Sequence, residues 1–317
     1  MKAISRLSFG TKKVAIVGAG YVGSSIAYAL TIRNLARAIV LINRTKSKAE
    51  GEALDIMHGI PYLGTASVYV GDYCDCADCD LIIITVGRNR MPGETRLNLL
   101  EDNSAVLREV IEKIEPHYNG GVIMIVSNPV DVLTMRCAKW MDLPNGRIIG
   151  TGSILDTSRF VRELSDYINL NTESVKGVIV GEHGDSQIPI WSRVSISGVP
   201  IDEYCENVKL PWNDEIKLNI ENSVKGMGAK IIASKGKTHY GIATCVCFLA
   251  DAILNQHLTI ATVTTPLEGE YGIDGVALSL PSILGVNGVE KRLVESWNDM
   301  ETAAFIRSAE TLRQFCV

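Results

Sequence analysis

Five short β-branched runs share a property that narrows what the chain can fold into: each is apolar without alternation. "VAIVG" (14–18), "IVLIN" (39–43), "VYVGD" (68–72), "LIIITVG" (81–87) and "VIMIVSN" (122–128) all fall in the first half. A strand with one face in water alternates apolar and polar residues, whereas an unbroken apolar run suits a strand buried on both faces. Stretches with helical spacing lie between the runs, notably "GSSIAYALTIRN" and "ETRLNLLEDNSAVLREVIEKI". This rhythm predicts a doubly wound α/β domain over 1–151, with a parallel sheet covered by helices on each side. From residue 152 the rhythm changes. Helix patterns at "ILDTSRFVRELSDYI" and over roughly 213 to 256 mix with strand-like "SRVSISGVPI" and "GIDGVALSLPSILGVNGVEKRLV", and "DMETAAFIRSAETLRQF" reads as a closing helix. A mixed α+β second domain over 152–317 is expected. No Pro/Ser-rich linker separates the halves, so a broad shared interface with a cleft is expected too.

The chain has 317 residues and a formal net charge of −5. That balance gives no basic footprint for nucleic acid or an anionic membrane, so any bound anion must be met by local arginines. No segment approaches the roughly 20 continuous apolar residues of a membrane helix, and "MKAISRLSFGTKK" lacks the apolar core of a secretion signal. The eight cysteines then read as reduced thiols of a cytoplasmic protein. "CDCADC" has neither the paired C-x-x-C spacing nor a second Cys/His cluster of a metal site, and it reads as a polar turn.

The chemistry begins at "GAGYVG". Its glycines, Gly18, Gly20 and Gly23, stand between a strand and a helix in the first βαβ unit, the setting that gives this otherwise weak motif its meaning. Gly18 permits a tight turn, Gly20 lets the backbone approach a pyrophosphate, and Gly23 lets helix and strand pack closely. This predicts a Rossmann dinucleotide site. The second strand ends in Asn43 where an Asp or Glu usually meets the adenosine ribose, and Arg44 follows. Two readings stay open: Asn43 bonds the ribose of NAD beside a solvated Arg44, or Arg44 meets the 2′-phosphate of NADP.

Over essentially its whole length the chain resembles the lactate/malate dehydrogenase family. "VGAGYVG", "AEGEALDIMHG", "PGETRLNLL", "SNPVDVLT", "GTGSILDTSRF", "GEHGDSQIPIWS" and "KGKTHYGIA" carry the likeness, in family order. The resemblance implies a Rossmann domain followed by a catalytic domain, and reversible hydride transfer between a 2-hydroxy acid and a nicotinamide cofactor. It implies that His183 exchanges the proton, since imidazole titrates near neutrality, and that Asp156 fixes its tautomer. Arg159, one helical spacing after Asp156, would grip the C1 carboxylate with its planar fork. Asn128 would hold the nicotinamide ribose and the substrate oxygen, and Thr238 would line the pocket. Arg96, on a loop that closes over substrate, would polarise the carbonyl.

On the same loop Arg90 stands where lactate enzymes carry a neutral Gln and malate enzymes an Arg. Gly228 stands where lactate enzymes tend to carry Ala. These two positions lead to the expectation of a malate dehydrogenase acting on a small dicarboxylate, with an L-lactate or other 2-hydroxy-acid dehydrogenase as the alternative. A non-catalytic nucleotide-binding Rossmann protein, or a methyltransferase, would have no use for His183, Asp156, Arg159 and Arg96 together. Arg88 has no implied role and reads as solvated. A homodimer or homotetramer is implied. Many bacterial lactate dehydrogenases bind a sugar bisphosphate between subunits through an Arg and a His at the places of Val161 and Lys176, so no such activation is expected.

Overall fold

The computed structural model describes residues 12–88 and 96–316, with side chains from 99 onward in the second stretch. The first half builds six strands, β1 (Lys13–Val17), β2 (Ala38–Ile42), β3 (Ser67–Val70), β4 (Leu81–Ile84), β5 (Val122–Ile125) and β6 (Ile148–Gly150). Its helices are α1 (Tyr21–Ile32), α2 (Lys46–Gly59), α3 (Arg96–Ile114) and α4 (Val130–Met141). All neighbours among these strands pair in parallel. The unbroken apolar runs are explained by burial on two faces. Ala15, Val17, Ile82, Ile84, Ile123 and Ile125 join a core with α3 and α4. Their chain neighbours Val14, Ile16, Leu81, Ile83, Val122 and Met124 join a second core with α1 and α2, as the two-residue period of a strand requires.

The second half contributes α5 (Ile154–Ile168), the short strands β7 (Val175–Lys176), β8 (Ile179–Val180), β9 (Ile188–Pro189), β10 (Ser195–Ile196) and β11 (Val199–Pro200), and α6 (Ile201–Val208). The helices α7 (Asp214–Lys235) and α8 (Tyr240–Leu254) follow, then β12 (Thr259–Glu268), β13 (Asp274–Gly285), β14 (Gly288–Arg292) and α9 (Asp299–Arg313). The last three strands do not form a separate sheet. They extend the first one, giving a nine-stranded order β14-β13-β12-β6-β5-β4-β1-β2-β3, joined where Thr264 pairs antiparallel with Gly150. β12 lies in a stretch for which the sequence pattern suggests no strand. Its threonines and Pro266 break both periodicities, and the buried Thr262, Thr264 and Thr265 look polar in sequence. α8 packs on α1, so the second half also covers one face of the dinucleotide-type sheet. A third core forms around Phe160, Leu164, Ile179 and Val224. "CDCADC" lies in a 3-10 turn, Tyr73–Asp78, opened by a capping box between Asp72 at its N-cap and Asp75 in its first turn. Burial pushes the Cys76 and Cys79 thiols up to about 12. Among the described residues no helix is long and apolar enough to cross a membrane.

Candidate active site

The Gly-rich turn joins β1 to α1 at the carboxyl edge of the parallel strands, where open α/β sheets bind their ligands. Gly18 takes a φ of +109°, and the hydroxyl of Thr85, just past β4, donates to its carbonyl at 2.8 Å. A Cβ at Gly23 would sit 1.9 Å from the Gly18 carbonyl oxygen, so only glycine allows this approach of helix to turn. At Gly20 a Cβ would meet nothing within 4 Å. The space over Gly20, the residue before the first turn of α1, is open, with the backbone N–H groups of a helix start behind it. This cradle fits a dinucleotide pyrophosphate.

Asn43 closes the turn from the side. Its Oδ1 accepts the Ala19 N–H at 3.1 Å, and its Nδ2 donates to the Thr45 carbonyl at 2.9 Å. An amide can do both, whereas a carboxylate could serve only the first. Arg44 is exposed.

A cleft of about 590 Å³ opens beside the turn, lined among others by Val22, Asn128, Asp156, Arg159, His183 and Thr238. β6 runs into α5, which carries two of these groups. Asp156 lies in the first turn and is buried, and Arg159 reaches back one turn to it, Nη1 to Oδ1 at 3.0 Å. The loop after β8 brings His183 to the other carboxylate oxygen, Nδ1 to Oδ2 at 2.5 Å. One carboxylate thus bridges an imidazole and a guanidinium. Burial opposes the charge on Asp156, but His183 and Arg159 outweigh it and hold the carboxyl below its ordinary value. Burial likewise pushes His183 down, and the charge and hydrogen bond of Asp156, with the charge of Asp131, outweigh it and raise the imidazole. With Nδ1 committed to Asp156, Nε2 is the nitrogen left to exchange a proton.

Asn128 stands three residues past β5 and is held through its own carbonyl, which accepts from Asn103 Nδ2 at 2.7 Å. The same amide clasps the backbone of Arg88, accepting its N–H at 2.9 Å and donating to its carbonyl at 3.1 Å. Asn103, buried on α3, therefore ties the base of the arginine-rich loop to the end of β5. Nothing in the sequence marks it, because a polar residue inside a helix normally faces water. Arg88, expected to be solvated, is paired with Asp102, its Nη2 2.6 Å and its Nε 2.9 Å from Oδ2. Arg90 and the side chain of Arg96 lie outside the described residues.

The chain is similar to known proteins over nearly all of its length. Residues 12–150 match the model of the lactate/malate dehydrogenase NAD binding domain, and residues 153–316 that of the family's alpha/beta C-terminal domain. An L-lactate dehydrogenase of Thermoanaerobacter sp. (strain X514) is 42% identical over 301 residues, 95% of this chain and 97% of that one. That of Priestia megaterium is 40% identical over 304 residues, covering 96% and 95%. The solved structure of the minor L-lactate dehydrogenase from Enterococcus mundtii superposes with a TM-score of 0.93 at 37% identity, covering 96% and 98%. These relatives overturn the expectation of a malate dehydrogenase. Its two supports were local. Arg90 lies outside the described residues, so no described contact supports a second carboxylate. A Cβ at Gly228 would meet only Arg159 Nη2, at an ordinary 3.8 Å, so glycine there opens no room that packing would deny to alanine. The matched domain is an NAD binding one, and nothing in these likenesses favours NADP.

Proposed function

The chain belongs to the lactate/malate dehydrogenase family, and from that premise we propose that it is an L-lactate dehydrogenase, interconverting pyruvate and lactate with NAD(H). The observation that carries the chemistry is the Asp156 carboxylate shared between His183 at 2.5 Å and Arg159 at 3.0 Å. The names of full-length relatives near 40% identity support the choice of substrate.

NADH, when bound, supplies the hydride that reaches the substrate's C2. The other steps belong to the chain's own groups. Arg159 presents its fork to the C1 carboxylate, which fixes the 2-keto acid by two parallel charge-assisted bonds. His183 gives a proton from Nε2 to the carbonyl oxygen as negative charge develops there, and takes it back in the reverse direction. Asp156 holds the tautomer and offsets the imidazolium charge. Asn128 holds the ribose side of the nicotinamide and the substrate oxygen, Thr238 lines the pocket, and Arg96 polarises the carbonyl. Gly18, Gly20 and Gly23 form the phosphate turn, and Asn43 sits beside the adenosine ribose with Arg44 in solvent. A domain boundary near 151 and 152 accompanies this division of labour. Eight unpaired thiols suit a cytoplasmic enzyme. The exposed apolar side chains of Tyr28, Ile32 and Phe248 on α1 and α8 suit a homo-oligomer.

The test is kcat/KM for pyruvate and for oxaloacetate, each with NADH and with NADPH. Pyruvate with NADH is expected to give the highest value. A parent enzyme that prefers oxaloacetate would sink the lactate reading and leave the family intact.

A further inference from the structure

Asp131 lies in the first turn of α4, three residues after Asn128, and is 2% exposed. Its Oδ2 accepts the backbone N–H of His183 at 2.7 Å, and its Oδ1 accepts the hydroxyl of Thr264 on β12. The chain of donors continues. With the Thr264 proton committed to Asp131, the Ser279 hydroxyl on β13 must donate to Thr264, 2.8 Å away. Ser279 in turn accepts the backbone N–H of Ser153 at 3.0 Å, immediately before α5. Every donor in the series points towards the carboxylate. A neutral acid would need an acceptor that this arrangement does not offer, so the network is built for a charge.

A buried aspartate near a helix start is commonly a cap or a response to the helix dipole. Asp131 does more than that. Its partners are the residue that would exchange the proton and, through Thr264 and Ser279, the start of the helix that carries Asp156 and Arg159. Ser279 also bridges the strand leading to His183, exchanging both backbone hydrogen bonds with Gly181 at 3.0 Å.

We propose that Asp131 is a positioning residue for the proton exchange, whose carboxylate holds the His183 backbone in register with α5 and places a second negative charge beside the imidazole. The inference rests on the reading of His183 given above. The groups facing His183 are Asp156 and Arg159 from α5 and Asp131 from α4. Asp131 is faced by Thr264 from β12, by Glu182 and His183 from the loop after β8, and by the Cys316 thiol at the C-terminal end. Asp185 and Lys225 lie further round the cleft. Burial pushes Asp131 up to about 6, against the bonds from Thr264 and His183, whereas Asp156 is held low. The folded chain therefore bears a cost for the Asp131 charge that grows above the ordinary carboxyl value of 3.8 and is complete above about 6.

Asp131→Asn keeps the shape and an acceptor for the His183 N–H while removing the charge. The readouts are the NMR titration of the His183 ring in the free protein, assigned by comparison with His183→Gln, and the pH profile of kcat/KM for pyruvate reduction. Asp131→Asn is expected to lower the His183 pKa by at least about half a unit, to move the alkaline limb with it, and to cut kcat by about tenfold. Thr264→Val removes a bond that favours the charged carboxylate. It is expected to shift both readouts the same way by less, and it carries the test alone should Asp131→Asn not fold. A folded variant whose His183 titrates where the parent's does overturns the inference. A parent inactive on every 2-keto acid would overturn the functional reading instead, and the NMR titration would still decide this one.

Discussion

Two buried carboxylates approach His183 from different elements, and their environments drive them apart. Asp156 is held low by two cations, whereas burial pushes Asp131 up against the hydrogen bonds from Thr264 and His183 and the charge of His183. The sign for activity follows from the raised imidazole. Reduction needs protonated His183, so its rate holds below the raised pKa and is lost as pH climbs through it. Asp156→Asn is expected to move that loss to lower pH and to reduce kcat by about 10²–10⁴-fold, read from rates on both sides of neutrality. The depressed Asp156 works in the opposite sense for stability. Its contribution is present above the ordinary carboxyl value of 3.8 and is lost as pH falls through the lower folded value. Arg159→Lys keeps the charge but loses the fork and the geometry that reaches Asp156 Oδ1. About 1.5–3 kcal/mol is at stake, so kcat/KM should fall roughly 10- to 150-fold. An unchanged KM for pyruvate would remove Arg159 from carboxylate binding. At this scale the sequence exposes residues whose partners are near in the chain or fixed by motif, such as Arg159 and Asp156 at i and i+3. Asp131 stands in the quoted "SNPVDVLT" and still escapes notice, because its partners Thr264 and His183 arrive only through tertiary pairing. Arg90 misleads for the opposite reason: a charge is visible in sequence, but what it faces is not.

Among the elements, the Gly-rich turn separates two roles that one motif blurs. Gly23 is a packing glycine. Its Cβ would stand 1.9 Å from backbone oxygen, so Gly23→Ala must push α1 off the turn, at about 1–3 kcal/mol or more of overpacking cost. It should lower Tm and NADH affinity together. Gly20 has a φ of −85°, open to any residue, and empty space where its Cβ would go. Gly20→Ala should therefore leave Tm near the parent value and weaken NADH binding by about tenfold or more, since the methyl occupies the approach of the phosphates. Equal NADH affinity in Gly20→Ala, by fluorescence titration, would place the pyrophosphate elsewhere. Strands β1, β2, β4 and β5 are readable because both faces are apolar and burial alone writes their pattern. β12 is not, because its buried Thr264 and Thr262 are satisfied by Asp131, Ser279 and Thr157, partners that no local window contains.

For the whole molecule, the sheet runs without a break from β3 through β6 into β12, β13 and β14, so the Gly-rich turn and the second half of the chain share one backbone scaffold. That continuity does not extend to β7, which belongs to a separate three-stranded sheet with β10 and β11. Lys176 is exposed on β7, and Val161, on α5, packs against the third core. These are the places where many bacterial relatives of this family hold a sugar bisphosphate between subunits. Such a ligand carries two doubly charged groups and needs a planar, bidentate partner as well as a point charge. Val161 offers none, and its apolar contacts with the core leave no reason for a bound phosphate to approach it. The lost partner is worth about 1.5–3 kcal/mol, a roughly 10- to 150-fold weaker site, and Lys176 alone on an exposed strand regains little of that in solvent. Fructose 1,6-bisphosphate is therefore expected to leave KM for pyruvate, kcat and the light-scattering mass of the enzyme unchanged. A fall in KM or a larger assembly on adding it would show that the chain binds the bisphosphate through other groups.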